Sequence, residues 1–156
     1  IGVDQSENVL EKARLSCPGT DFRIGRVEHL PLRDGETDTF IFSMVLHHLP
    51  DPVPALLEAH RVLKKEGTLV IAELAQHNHE EMRSRFADFW LGFEKTRLNE
   101  FLERAGFEME SSSAGKGEGT LGCLFLRARR VEAKTASISR LKSAKEISKA
   151  TAAELK

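Results

Sequence analysis

The sequence is short of everything that would tie it to an oxidising or membrane setting. Only Cys17 and Cys123 are cysteines among 156 residues, far apart and with no Cys-x-x-Cys spacing, which excludes a disulfide framework and a zinc knuckle. The longest apolar run, Phe40 to Leu46, is interrupted by Ser43 and falls well short of the roughly 20 residues that span a bilayer. Neither sign of charge dominates. Twenty-three basic and 24 acidic residues leave a formal charge of -1 and a pI near 6.7, so no global field favours nucleic acid or an anionic membrane. The basic, apolar and cleavage regions of a secretory signal are missing as well. These absences predict a cytoplasmic domain that does not meet the membrane. The chain opens on Ile1 rather than Met, directly in a strand-like segment, and is expected to be a fragment whose beginning lies upstream.

With 40% hydrophobic and 30% charged side chains, the chain can bury a core of ordinary domain size. Charge divides it near residue 128. Positions 1–128 hold 15 basic and 21 acidic residues, whereas 129–156 hold eight basic and three acidic ones. The tail has few large apolar residues among its Ala, Ser, Thr and Lys, and is expected to be a solvated, weakly packed extension.

Within the body, strand and helix signals alternate. Ile1-Gly2-Val3 stops at Asp4, and Ser6 is placed to cap a helix carrying Val9, Leu10 and Ala13. Phe22 to Ile24 reads as a second strand, and residues 38–45 as a strand buried on both faces of a parallel sheet. Asp51 and Pro52 suit the start of a helix with Val53, Leu56, Leu57, His60 and Leu63 on one face. Residues 67–73 form another strand. A helix is then expected to carry Met82, Phe86, Phe89, Trp90 and Phe93 on one stripe, for core packing in preference to a substrate roof, followed by a helix from Thr96 to Ala105. Strands at 107–112 and 120–128 close the body as an antiparallel pair across a Gly-rich loop. This order describes an α/β doubly wound, Rossmann-like sheet, whose ligands bind beyond the carboxyl ends of the strands.

Asp4 stands at such an end, where a carboxylate can accept hydrogen bonds from both hydroxyls of an adenosine ribose; near a helix start it is equally at home as an ordinary acid. Read in order, Asp4, the Gly25–Pro31 segment, the Asp38–Leu49 segment and Leu63–Leu69 resemble class I methyltransferases dependent on S-adenosylmethionine, from Ile1 to about Ala128. The resemblance implies that Asp4 and Gln5 meet the cofactor ribose, that Val27 and Glu28 lie along the adenine, and that Ser43 and Met44 pass the methionine portion. It implies S-adenosylmethionine as cofactor and domain limits of 1–128. The sequence departs from that pattern at Arg26, which offers no acceptor where an aspartate is usual. It also shows no first strand and no Gly-x-Gly-x-Gly turn ahead of Ile1, so the fragment alone is expected to be poorly active.

Glu73 to Glu81 with Asp88 to Phe93 looks like the methyltransferase domains fused behind winged-helix regulators of the ArsR family. Nucleic acid would then be met only through such a preceding module. His47 and His48 follow a buried strand at the cleft, where an imidazole can act as a base or position a substrate; adjacent side chains diverge, so one of the two is expected to pack or cap, and His47 is taken as the catalytic candidate. His77-x-His79 with Glu80 and Glu81 has donors suited to a divalent metal, yet lies at a loop-to-helix junction where polar residues are ordinary, and no metal ligand is assigned there. Ser43-Met44-Val45-Leu46 lacks the Asn-Pro-Pro-Tyr pattern of amide- and base-nitrogen methylation, which points to a small-molecule acceptor. Two rivals stay open: an NAD-dependent oxidoreductase, since Asp4 suits that ribose too, and a non-catalytic effector-binding domain.

Overall fold

A computed structural model describes residues 1–116 and 121–132. Its strands are β1 (Gly2–Asp4), β2 (Phe22–Ile24), β3 (Thr37–Ser43), β4 (Leu63–Leu74), β5 (Phe107–Lys116) and β6 (Gly122–Arg130). Its α-helices are α1 (Glu7–Ser16), α2 (Val53–Val62), α3 (Glu81–Phe86) and α4 (Lys95–Arg104), with a 3-10 turn at Leu46–His48. The expected α/β sheet is present as two pieces. β1 and β2 pair in parallel, while a four-stranded sheet runs β3-β4-β6-β5, parallel between β3 and β4 and antiparallel thereafter. None of the helices described is long and apolar enough to cross a membrane.

Period-two alternation decides which face of the large sheet is buried. Leu69, Ile71 and Glu73 of β4 point inward beside Phe42 of β3, and the core continues through Leu56 and Ala59 of α2 and Leu98, Phe101 and Leu102 of α4. The opposite face is open at Ile41, which is 64% exposed. That corrects the expectation of a β3 buried on both sides. A continuous apolar run signals a strand, but only the elements packed on it decide how many of its faces are covered.

Three other expectations change. Ser6 makes no side-chain cap to α1; Asp4 Oδ1 instead accepts the Ser6 N–H at 2.7 Å. The long aromatic helix ends at Phe86, because Ala87 turns left-handed at φ 60°, so Phe89, Trp90 and Phe93 lie on extended chain and not on a helical stripe. Gly92, at φ 70°, lets that chain run back alongside the end of β4: a Cβ there would stand 2.3 Å from Ala75 O. Finally, β6 continues through Arg129 and Arg130, which bond to Glu108 and to Leu63 O, two residues past the strand end expected at 128. Most of the tail expected to be weakly packed, residues 133–156, and residues 117–120 of the Gly-rich loop lie outside the described residues.

Arg61, on α2, ties down the 26–36 loop. It donates to Leu32 O at 2.8 Å, Leu30 O at 3.2 Å, Asp34 Oδ1 at 2.7 Å and both oxygens of Glu58 at 2.8 Å. Glu58 also accepts the Leu30 N–H at 2.9 Å. The Arg61 hydrogen bond, aided by that N–H, outweighs burial and holds the Glu58 carboxyl below its ordinary range. A depressed folded-state pKa contributes stability that is present above the unfolded carboxylate value, about 4.3, and is lost as pH falls through the folded value. Urea unfolding is therefore expected to show a steeper loss of stability below about pH 4.3 in the wild type than in Glu58→Gln. Parallel acid profiles for the two would show that the clamp does not depend on the charge.

Candidate active site

The residues singled out in sequence fall into two groups at the carboxyl ends of the strands. In the first, Asp4 ends β1 half-buried, held by the turn it makes with Ser6 N–H, a bond that short acidic side chains commonly form two residues on. Gln5 beside it is exposed. Gly25 N–H donates to Asp4 O at 3.0 Å, which sets the 25–28 segment next to the acid. Val27 packs against the main core, and Glu28 is partly buried with its Oε2 3.6 Å from Arg26 Nε.

The second group lies at the end of β3. Ser43 is exposed and Met44 follows at φ 54°, its N–H donating to Ala72 O at 2.9 Å. A non-glycine residue in this left-handed region is uncommon and strained. No strand pairing links the two groups among the described residues.

Below Met44 sits a buried polar cluster that organises the turn at Leu46–His48. Glu73 is fully buried; its Oε1 accepts Val45 N–H at 2.8 Å and Leu46 N–H at 2.6 Å, and its Oε2 lies 2.7 Å from His47 Nδ1. His47 is 5% exposed. Burial disfavours its charged form, but the Glu73 hydrogen bond and the charges of Glu73 and Asp88 prevail, and its pKa is raised. Its other nitrogen, Nε2, faces Asp88 Oδ1 at 3.8 Å, and His48 Nδ1 faces the same oxygen at 3.5 Å. His47 O accepts the N–H groups of Phe89 and Trp90, each at 2.9 Å, and Trp90 Nε1 donates to Leu49 O at 2.8 Å. These bonds lock the 88–90 segment onto the turn. With both nitrogens turned towards carboxylates, His47 presents no open edge to an acceptor, whereas the half-exposed His48 does.

His77 and His79 lie together, with His79 N–H donating to His77 Nδ1 at 3.2 Å and His79 Nδ1 3.2 Å from Glu81 Oε1. Burial, and then the neighbouring His79, push the His77 pKa down. His60 is packed as expected, edge-on to Phe107 with Nε2 3.0 Å from Val131 O. Of the aromatic stripe, Phe93 is core and Trp90 packs on Phe93 and Phe101, while Phe86 and Phe89 are half-exposed. Phe89 and Trp90 border a surface hollow shared with His77, Arg83 and Leu91.

Sequence reading assigned no role to Glu73 or Asp88. For Glu73 the signal was available: it falls on the inward phase of Leu69, Ile71 and Glu73, and a buried acid must be paired. Asp88 lies off the Met82, Phe86, Phe89, Trp90 and Phe93 stripe of the expected helix, so nothing in that pattern marks it as buried.

Residues 1–71 match the family described as Methyltransferase domain. The chain is 32% identical over 109 residues to 2-methyl-6-phytyl-1,4-hydroquinone methyltransferase 1 of Oryza sativa, covering 68% of this chain and 33% of that protein. It is 41% identical over 76 residues to an uncharacterized 37.1 kDa protein of a Streptomyces fradiae transposon, covering 47% of this chain and 22% of that protein. The chain thus spans a third or less of the length of these relatives. Its fold matches a SAM-dependent methyltransferase of Methanosarcina mazei with a TM-score of 0.66 at 18% identity, over 83% of this chain and 81% of that one.

Proposed function

We propose, for a chain that carries the class I S-adenosylmethionine-dependent methyltransferase fold and matches the methyltransferase domain over residues 1–71, that the protein transfers a methyl group from S-adenosylmethionine to a small-molecule acceptor. One observation carries the reading. Asp4 ends β1 inside the matched segment, and among the described residues its side chain makes a single hydrogen bond, through Oδ1. A carboxylate oxygen accepts more than one bond, so acceptor capacity remains for the ribose hydroxyls.

The other site residues follow from their positions. Gln5 flanks the ribose, Val27 and Glu28 lie along the adenine, and the exposed Ser43 with the strained Met44 border the methionine portion. Methyl transfer from a sulfonium is a direct displacement that needs alignment more than proton transfer. His47, held between two carboxylates, accordingly positions the turn and does not act as the base on the acceptor. The half-exposed Phe89 beside Trp90 gives the acceptor an aromatic surface, which suits a ring such as the hydroquinone named for the Oryza relative. The finer reading, a domain of an ArsR-type regulator fusion, is supported by the Glu73–Glu81 and Asp88–Phe93 segments, which pack together here through His77 N–H to Leu91 O at 3.0 Å.

Incubation of the full-length protein with methyl-labelled S-adenosylmethionine and a cell extract tests the acceptor class. Label is expected in the organic-extractable small-molecule fraction. Label in DNA or protein would contradict that class, and tight cofactor binding with no transfer into any fraction would favour an effector-binding domain.

A further inference from the structure

The buried cluster between the 3-10 turn and the 88–90 segment sets the carboxylates of Glu73 and Asp88 against imidazoles alone, with no lysine or arginine paired to either among the described residues. Asp88 is 4% exposed, and neither of its carboxylate oxygens has a hydrogen-bond partner among the described residues. A buried carboxylate is normally paired, hydrogen-bonded or bound to a metal. Two imidazole nitrogens face it, His48 Nδ1 at 3.5 Å and His47 Nε2 at 3.8 Å, and the three donor atoms lie within 4.8 Å of one another. Tetrahedral ligands about 2.0–2.1 Å from a zinc ion stand roughly 3.3–3.4 Å apart, so a small closure brings these atoms into register.

The tautomer supports the same reading. In the neutral imidazole that donates Nδ1–H to Glu73 at 2.7 Å, the Nε2 lone pair points at Asp88, and a cation bound between them would take the place of the proton that Nε2 otherwise carries. A histidine whose second nitrogen is hydrogen-bonded to a carboxylate is the usual arrangement for a metal ligand. We propose that His47 Nε2, His48 Nδ1 and an Asp88 carboxylate oxygen form a binding site for a divalent transition-metal ion of the zinc type. The two nitrogens and one oxygen match that class of ion and not calcium or magnesium. Three protein ligands leave a coordination position open, and the half-exposed His48 gives it a path to solvent. The two carrying segments are already fastened by His47 O to Phe89 and Trp90 N–H and by Trp90 Nε1 to Leu49 O, so little ordering remains for the ion to impose. None of its three ligands is among the proposed cofactor residues Asp4, Gln5, Val27, Glu28, Ser43 and Met44, and its test does not depend on methyl transfer.

Zinc(II) titrated into the full-length protein against a chromophoric chelator, together with the visible spectrum of the cobalt(II) form, reads the site. The wild type is expected to bind one equivalent. Asp88→Asn and His48→Ala should each weaken zinc at least tenfold and alter the cobalt bands, while His79→Ala leaves both unchanged. Far-ultraviolet circular dichroism monitors folding, and if Asp88→Asn unfolds, His48→Ala at its half-exposed position carries the decision. The proposal fails if the wild type takes up no stoichiometric zinc, or if binding survives His48→Ala and is lost in His79→Ala.

Discussion

Replacing Glu73 by alanine is expected to destabilise the protein by about 3–5 kcal/mol, the scale for removing one member of a buried, hydrogen-bonded charged pair. Four groups lose a bond to this carboxylate at once: the N–H of Val45, the N–H of Leu46, Nδ1 of His47 and, at a longer 3.2 Å, the N–H of Leu74. The first three are left in an interior from which water is excluded, and an unsatisfied buried donor costs about 1–3 kcal/mol. Loss of side-chain volume beside Leu46 and Phe42 adds to this in the same direction. Glu73→Gln should cost less, since its amide carbonyl can still receive the two backbone N–H groups, and only the His47 contact is exchanged for a neutral one. Urea unfolding at pH 7 measures both, with the midpoint falling and the slope unchanged. A loss below about 1 kcal/mol in Glu73→Ala, the scale of a single ordinary hydrogen bond, would mean that the carboxylate does not hold the turn.

That Asp4 is visible in the sequence as a strand end while the role of Glu73 is not has a physical basis. Asp4 ends a short apolar run, and a polar residue where a parallel strand stops is visible locally. The places of Ser43 and Met44 at the end of β3 follow the same local rule. Glu73 and Asp88 acquire their roles only through contacts to residues some 26 to 41 positions away, which no window of hydrophobic periodicity spans. The helix expected through Phe93 failed for a related reason. Its apolar spacing was helical, but the backbone is diverted at Ala87 and pinned at Gly92 by bonds to the end of β4, including Gln76 N–H to Phe93 O at 3.0 Å, and tertiary pairing outweighs a modest helical preference. Exposure of Ile41 was equally out of reach, because a β strand's own residues do not report what packs on it.

The cofactor claim comes down to Asp4. Its two candidate bonds to ribose hydroxyls are hydrogen bonds to a charged acceptor, worth about 1.5–3 kcal/mol each, so losing the acceptor should weaken binding roughly ten- to a hundredfold once part is regained through water. Asp4→Ala would also release the Ser6 N–H from its 2.7 Å bond and confuse affinity with local order. Asp4→Asn is the sharper variant, because its carbonyl oxygen can keep the Ser6 contact while the charge and one acceptor are lost. S-adenosylhomocysteine carries the same ribose as S-adenosylmethionine and does not turn over. Calorimetric titration of S-adenosylhomocysteine into the full-length protein is therefore the most direct measurement: the wild type is expected to bind one equivalent, and Asp4→Asn to bind roughly ten- to a hundredfold more weakly with an unchanged unfolding midpoint, whereas equal affinities, or no binding by the wild type, would contradict the assignment.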